Sequence, residues 1–425
     1  MSKGLTRRGL LMGAAAAAGA LAAATWGRRP AAAALPPPAT SGIDHLVVVT
    51  MENRSFDHLL GWLPGANGRQ DGLSFLDAQG QPHATHRLAP DFQGCGHPDP
   101  DHSYAGGRVE YDGGACDGWL RAGANDEYAI GYYTGSDLAF LGSVAGDWTT
   151  LDGYFAAIMA ETYPNRIYLH AAQTDRLSNT TTISTLPTIW DRLAAAGVSG
   201  RYYYSDVPIL ALWGSRYAGI GRPFASFLAD CAAGTLPAVS YVDPRFLDEQ
   251  SGTSGDDHPH ADIRNGEAFL NSVYSAVTRG PSWPRTLLVI TYDEWGGFFD
   301  HVPPGVATVP PADAAAGSDG RRGFRVPCLL VSPWARRQTV SSALLDHTSI
   351  LRTIEWRWGL APLTVRDANA GNLADVLDLS AADLHAPAYA VPPGPFGAPC
   401  VGDTVASEWT ALRDLASSAG WPAGG

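Results

Sequence analysis

The chain has 425 residues, enough for one large domain or two ordinary ones, with 45% apolar and only 17% charged residues, a composition that suits a sizeable core. Its formal net charge of -13 argues against a nucleic-acid partner, since phosphate backbones are held by basic side chains, and against standing attraction to anionic membranes. Five cysteines with no C-x-x-C spacing make a zinc ribbon a poor reading.

The start reads as an export signal. Thr6-Arg7-Arg8-Gly9-Leu10-Leu11 pairs two arginines ahead of a short, weakly hydrophobic run to Trp26. Small residues around Ala31 to Ala34 offer a cleavage site, and Pro36-Pro37-Pro38 marks a linker. Residues 1–40 are therefore expected to be a twin-arginine signal peptide and linker, and 41–425 one catalytic domain in a secreted or cell-envelope protein.

The stretch from Ile43 to His58 opens that domain. Its first half is nearly continuous β-branched and apolar sequence, as in a strand buried on both faces of a parallel sheet. Ser55 fits a helix N-cap ahead of Leu59, Leu60, Trp62 and Leu63. Glu52 and Asn53 then sit where a strand ends and a helix begins, the edge of α/β sheets that binds ligands. Residues 65–126 are polar and rich in glycine, proline, aspartate and histidine, too long for an ordinary connection and suited to an excursion over a site. Helical patterns follow over 136–146, from 161, and over 187–196, 224–233, 263–277, 346–358 and 407–418. A strand-like run covers 148–158, and strands are expected over 200–204, 236–243, 285–293 and 324–331. Strands alternating with helices predict a three-layer α/β sandwich with a mostly parallel sheet. Cys95 and Cys116, in one loop region, are the first expected disulfide; Cys328 falls in a buried strand and reads as core.

Two buried strands end in paired oxygen ligands, Glu52-Asn53 and Asp293-Glu294. In a parallel sheet these ends share one edge. One such pair is as readily a helix cap or salt bridge; two pairs at equivalent ends favour a bound cation, because carboxylates packed together repel. Thr162, ahead of Pro164 at a helix start, is by itself usually a plain cap. Beside a metal its hydroxyl would be an activated nucleophile. Loop histidines His97, His102, His258, His260, His301 and His347 gather oddly, and His258, His301 and His347 each follow an aspartate.

Together these residues carry a resemblance. Met51-Glu52-Asn53-Arg54-Ser55-Phe56-Asp57-His58 after a hydrophobic strand resembles the opening motif of the bacterial phosphoesterase family of phosphatidylcholine-type phospholipases C and related acid phosphatases. The similarity continues through Asp101-His102-Ser103, Thr162-x-Pro164-Asn165-Arg166, Asp257-His258-Pro259 and Asp262-Ile263-Arg264-x-Gly266-Glu267. It ends with Thr291-Tyr292-Asp293-Glu294-x-Gly296-Gly297-Phe298-Phe299-Asp300-His301-Val302 and Asp346-His347-Thr348-Ser349. Tyr104 stands where the family often has tryptophan. The resemblance implies an alkaline-phosphatase-like fold. It implies a divalent metal held by Glu52, Asn53, Asp293 and Glu294, with Thr162 completing the shell and attacking phosphorus. His102, His258 and His301 would surround the phosphate, one of them protonating the leaving oxygen.

The expected protein is an exported, metal-dependent phosphoric-ester hydrolase of phospholipase C type, with an acid-phosphatase-type phosphomonoesterase as the alternative and a phosphate- or lipid-binding protein as the non-enzymatic one. Its partners would be a phospholipid or small phosphate ester, transiently a membrane surface, the twin-arginine export machinery, and no nucleic acid. Oxygen ligands suit calcium, magnesium or manganese; nearby histidines keep zinc and iron open. No C-x-P-x-R stretch supports a sulfatase, and no G-x-S-x-G elbow supports an ordinary lipase.

Overall fold

His45–Met51 forms strand β1, and every residue in it except His45 is buried. The computed structural model describes residues 35–400 and 408–422; the expected export signal and its cleavage region lie outside them. In chain order the other strands of the central sheet are β2 (Thr149–Leu151), β3 (Gly200–Tyr204), β4 (Gly221–Pro223), β5 (Val239–Asp243), β6 (Thr286–Tyr292), β7 (Cys328–Val331) and β8 (Thr339–Ser341). They lie side by side as β8-β2-β7-β6-β1-β5-β3-β4. Only β7 runs against the rest, antiparallel to both β6 and β2.

β1 therefore sits between two parallel neighbours, β6 and β5. This accounts for its unbroken apolar run, because both faces are covered. Burying Val47, Val48 and Val49 completely contributes about 1.5–3 kcal/mol each. Met51 pairs with Tyr292, so Glu52 and Asp293 leave the sheet side by side at its carboxyl edge.

Among the helices are α1 (Phe56–Leu60), α2 (Thr162–Ala171), α3 (Ile189–Ala195), α4 (Phe224–Ala233), α5 (Ile263–Arg279), α6 (His347–Trp358) and α7 (Glu408–Ser418). α2 packs with α3 and α6, and Tyr241 of β5 donates its hydroxyl to the Leu169 carbonyl in α2. α4 packs with α5, and both contact the sheet. The two groups enclose the sheet as a three-layer sandwich, as expected. Among the described residues no helix is long and apolar enough to cross a membrane.

Several expectations shift for local reasons. Pairing in β5 begins at Val239, because Pro237 has no N–H to offer a neighbour. Pro327 likewise delays β7 to Cys328. The run 148–158 splits into β2 and the short strand Tyr154–Phe155 around an Asp152-Gly153 turn. Helix 136–146 begins only at Leu141. The expected Cys95–Cys116 disulfide is wrong: Cys95 bonds Cys400, 305 residues away. Cys116 is a buried thiol, packed in a small core with Trp119, Phe299 and Phe324. Cys328 is core, as read.

Arg325, ahead of β7, is buried among Asp57 (3.1 Å) and Asp300 (2.9 Å) and donates to the carbonyls of Asn67 (2.7 Å) and Asp152 (2.9 Å). It ties α1 to the loop after β6. Arg325→Leu would leave two buried carboxylates without their cation, and a loss of about 3–5 kcal/mol is expected in denaturant unfolding. Unchanged stability would show that these charges do not depend on one another.

Candidate active site

The ends of β1 and β6 are locked to each other by backbone geometry. Asn53 takes a left-handed conformation (φ 58°), which asparagine tolerates better than most residues. Gly296 (φ +63°) passes so close that a Cβ there would lie 2.1 Å from the Asn53 carbonyl oxygen. Only glycine lets the turn after Glu294 fold over Asn53. Asp293 Oδ1 accepts the N–H groups of Asn53 (3.2 Å) and Glu294 (2.7 Å).

α2 brings the hydroxyl. Asn165 accepts from the Ile158 N–H and donates to the carbonyls of Ile158 and Ala160, fixing the loop that enters the helix. Arg166, one turn into α2, reaches under the sheet edge. Its Nε donates to Asp293 Oδ2 (2.8 Å) and its Nη1 to Asp243 Oδ1 (3.0 Å). Further bonds run to the carbonyls of Thr50 (3.2 Å) and Met51 (3.1 Å). Burial pushes the Asp243 carboxyl up to about 6, although the Arg166 guanidinium pulls it down. Thr162, the first residue of α2, is fully buried and donates from Oγ1 to Glu52 Oε1 at 3.2 Å, with Asn53 Oδ1 at 3.5 Å.

The histidines divide. His102 donates from Nδ1 to the Pro100 carbonyl (2.8 Å), which turns Nε2 toward Asn53 Nδ2 (3.5 Å) and Glu294 Oε1 (4.0 Å). His258 lies between Asp99 on Nε2 (3.4 Å) and Glu249 on Nδ1 (3.5 Å). Burial lowers the His258 imidazole, with Asp99 working against that. Partial desolvation would raise Asp99, whose side chain stays 36% exposed, but His258, with His102 and His260, outweighs it and holds the carboxyl at about 2. Arg54 fixes the His258 loop from below, donating to the carbonyls of Asp257 (2.7 Å) and His258 (3.3 Å).

His347 donates from Nε2 to the Asp293 carbonyl (2.6 Å) and faces the Tyr154 hydroxyl with Nδ1 (3.1 Å). Burial pushes it down to about 4. It is a neutral prop beneath Asp293. The bonds that fix the His301 ring run to Asp57 (2.5 Å) and Asn67 (3.2 Å), beside Arg325.

The residues at this edge fit a divalent cation. Glu294 is completely buried; its Oε2 accepts the Gly296 N–H (2.7 Å), while Oε1 accepts no hydrogen bond. Burial and neighbouring Asp293 push this carboxyl well above its ordinary range, the response of an acid in need of a counter-charge. Glu52, Asn53, Thr162, Asp293 and Glu294 offer hard oxygens. Ligand atoms of Glu52, Glu249 and His258 also lie within 4.8 Å of one another, so this grouping shares Glu52. Asp57, Asp300 and His301 form another acid–histidine group, but Arg325 already supplies a positive charge there.

Sequence reasoning missed Asp99, Asp243 and Glu249. Asp243 ends a strand next to β1, the one signal that could have marked it. Asp99 and Glu249 lie in loops with no periodic pattern, and chain contacts alone bring them to His258.

The sequence pattern of the Phosphoesterase family matches residues 43–361. Non-specific phospholipase C1 of Arabidopsis thaliana is 32% identical over 371 residues, covering 77% of this chain and 70% of that protein. Phospholipase C A of Mycobacterium tuberculosis is 32% identical over 387 residues, covering 75% of this chain and 73% of its own. Similar solved structures include the phosphonate monoester hydrolase of Agrobacterium radiobacter, with a TM-score of 0.39 and 11% identity over 79% of this chain and 77% of that one. Another is the lipoteichoic acid synthase LtaP from Listeria monocytogenes, with a TM-score of 0.40 and 8% identity over 81% and 78% of the two chains. With three quarters of its length matched by one family pattern and by these two relatives, the chain belongs to the phosphoesterase family and is a hydrolase acting on phosphoester bonds.

Proposed function

We propose that this protein is a metal-dependent phosphodiesterase of phospholipase C type, with Thr162 as its nucleophile. One observation carries the reading: the Thr162 hydroxyl, at the start of a helix, donates to Glu52 at 3.2 Å with Asn53 at 3.5 Å, beside the Asp293-Glu294 strand end. Glu52, Asn53, Thr162, Asp293 and Glu294 would hold the divalent ion. When bound, such an ion neutralises phosphoryl oxygens and lowers the pKa of a coordinated hydroxyl.

Each residue then has a task. Glu52 Oε1 orients the Thr162 hydroxyl and is the nearest acceptor for its proton. Thr162 Oγ1 attacks phosphorus as the bond to the leaving alcohol oxygen breaks, and that oxygen takes a proton from His102 or His258. Water then cleaves the phosphothreonine, releasing the phosphorylated head group and restoring the hydroxyl. The N-terminal end of α2 favours the negative charge that develops there. His347 and Arg166 take no proton; they keep Asp293 in place. His301 stands outside this scheme, held by Asp57 and Asn67.

The diester reading is supported by the relatives, which are named phospholipases C; nothing comparable favours the acid phosphatase alternative. Export by the twin-arginine route is supported by the Thr6–Leu11 pattern and by the Cys95–Cys400 disulfide, a bond that persists in oxidising compartments.

Thr162→Ala is expected to lower turnover of p-nitrophenyl phosphorylcholine by at least about a thousandfold, with bound metal near the wild-type level. Full activity in that variant would remove the nucleophile. Glu294→Gln, and chelation of the wild type, are both expected to strip metal and activity together, read by elemental analysis. Undiminished metal in the variant would take Glu294 out of the ligand set. Faster turnover of p-nitrophenyl phosphate than of the choline ester would sink the diester preference.

A further inference from the structure

Residues 377–400, between α6 and α7, contain no helix or strand, yet the end of this segment is tied down at several points. Cys400 is bonded to Cys95, with the Cα atoms 5.3 Å apart. Gln93 and Ala398 exchange a reciprocal pair of bonds: the Gln93 amide donates to the Ala398 carbonyl (2.5 Å) and accepts the Ala398 N–H (3.0 Å). Asn265 does the same with Phe396, accepting its N–H (2.8 Å) and donating to its carbonyl (3.2 Å). The same Asn265 amide also donates to the Gly252 carbonyl (2.8 Å). The Arg264 guanidinium lies between two rings, 4.5 Å from Phe396 and 4.7 Å from Phe92.

Gly397 meets Gly252 backbone to backbone, and Gly252 lies against the Gln93 side chain. Gly397 (φ +89°) would place a Cβ 2.5 Å from the Gly252 carbonyl, and Gly252 (φ +72°) would place one 2.3 Å from the Gln93 amide. The left-handed backbone favours glycine at both positions, and at Gly397 the close backbone approach requires it as well. What they join is the inference. Cys95 lies four residues before Asp99 and seven before His102. Gly252 lies between Glu249 and His258. These are the two loops that bring acids and histidines to the Thr162 edge. Neither loop contains a strand or long helix of its own, so its ordering must come from contacts with other segments.

We propose that residues 394–400 are a positioning strap: covalently fastened at Cys95, they hold the Asp99–His102 and Glu249–His258 loops against each other, and the oxidised disulfide is needed for full turnover. The inference rests on the proposed roles of His102 and His258. Opening the strap requires a two-electron donor of the dithiol class. The Sγ–Sγ bond breaks, Cys95 and Cys400 each gain a proton and become thiols, and the dithiol closes to its own disulfide. Cys95 is exposed, so a soluble reagent reaches the bond.

The test compares the oxidised protein, the same protein treated with dithiothreitol, and the variants Cys95→Ser/Cys400→Ser and Asn265→Ala. Turnover of p-nitrophenyl phosphorylcholine, bound metal and amide hydrogen exchange are all followed, and thiols are counted by mass spectrometry. Opening the disulfide is expected to lower kcat by about 10- to 100-fold, because displacements near 1 Å have that effect on catalytic groups. KM should change little and metal content not at all. Amides in 95–102 and 249–258 should exchange faster, while those of β1 and β6 stay protected. Equal kcat and equal loop exchange in oxidised and reduced protein would overturn the strap. If the oxidised wild type fails to hydrolyse the ester, the proposed function falls instead, and loop exchange, which needs no substrate, still decides whether 394–400 order the two loops. If the double cysteine variant does not fold, the reduced wild type supplies the same comparison.

Discussion

A single buried guanidinium holds the edge of the candidate site together. Arg166 reaches from α2 to a carboxylate just past the end of β6, a carboxylate on β5 and two carbonyls at the end of β1. Burial opposes its charge, but Asp293 and Asp243 outweigh this and keep the group firmly protonated. Such a cation is tolerable inside a protein only when its donors are matched, and here the acceptors come from the ends of three neighbouring strands. Since Thr162 lies one helical turn before Arg166, the interaction that closes the sheet edge also sets the hydroxyl against Glu52. Scaffold and site share one side chain.

Two other buried arginines repeat the device. Arg54 crosses from the end of β1 to the carbonyls of the His258 loop and to His58. Arg325 gathers Asp57 and Asp300. In the stretch Glu52–His58, then, two residues face the Thr162 hydroxyl and most of the others brace them. Ser55 caps α1, Arg54 and Asp57 make the long-range ties, and Phe56 fills the core. His301, at the end of the Gly296–Asp300 turn, belongs to this bracing set by its contacts with Asp57. A motif read as a row of functional residues is in large part a set of supports.

The strap at residues 394–400 extends this logic to the far side of the site. The sheet edge is held by buried charge, which is rigid and dry. The loops carrying His102 and His258 lie nearer the surface, where water screens ion pairs and reduces their worth. There the chain adds a disulfide and paired amide bonds to the grip of Arg54 on the His258 loop. The contrast accords with the proposed division of roles, in which the candidate metal ligands sit at strand ends and a helix start and the candidate proton donors sit on loops.

Much was legible before any coordinates. β1 and β6 announced themselves as apolar runs because central parallel strands are buried on both faces, and Ser55 as a cap because hydroxyls satisfy the free N–H groups of a helix start. The convergence of Glu52 with Asp293 followed from parallel pairing alone. Local chemistry determined these features, so local sequence reported them. The partner of Cys95, the reversed direction of β7, the grip of Arg166 on Asp243, and the arrival of Asp99 and Glu249 at His258 were decided only in three dimensions. Each is a meeting of residues far apart in the chain, set by which segments pack together, and no spacing or period in the sequence records that choice.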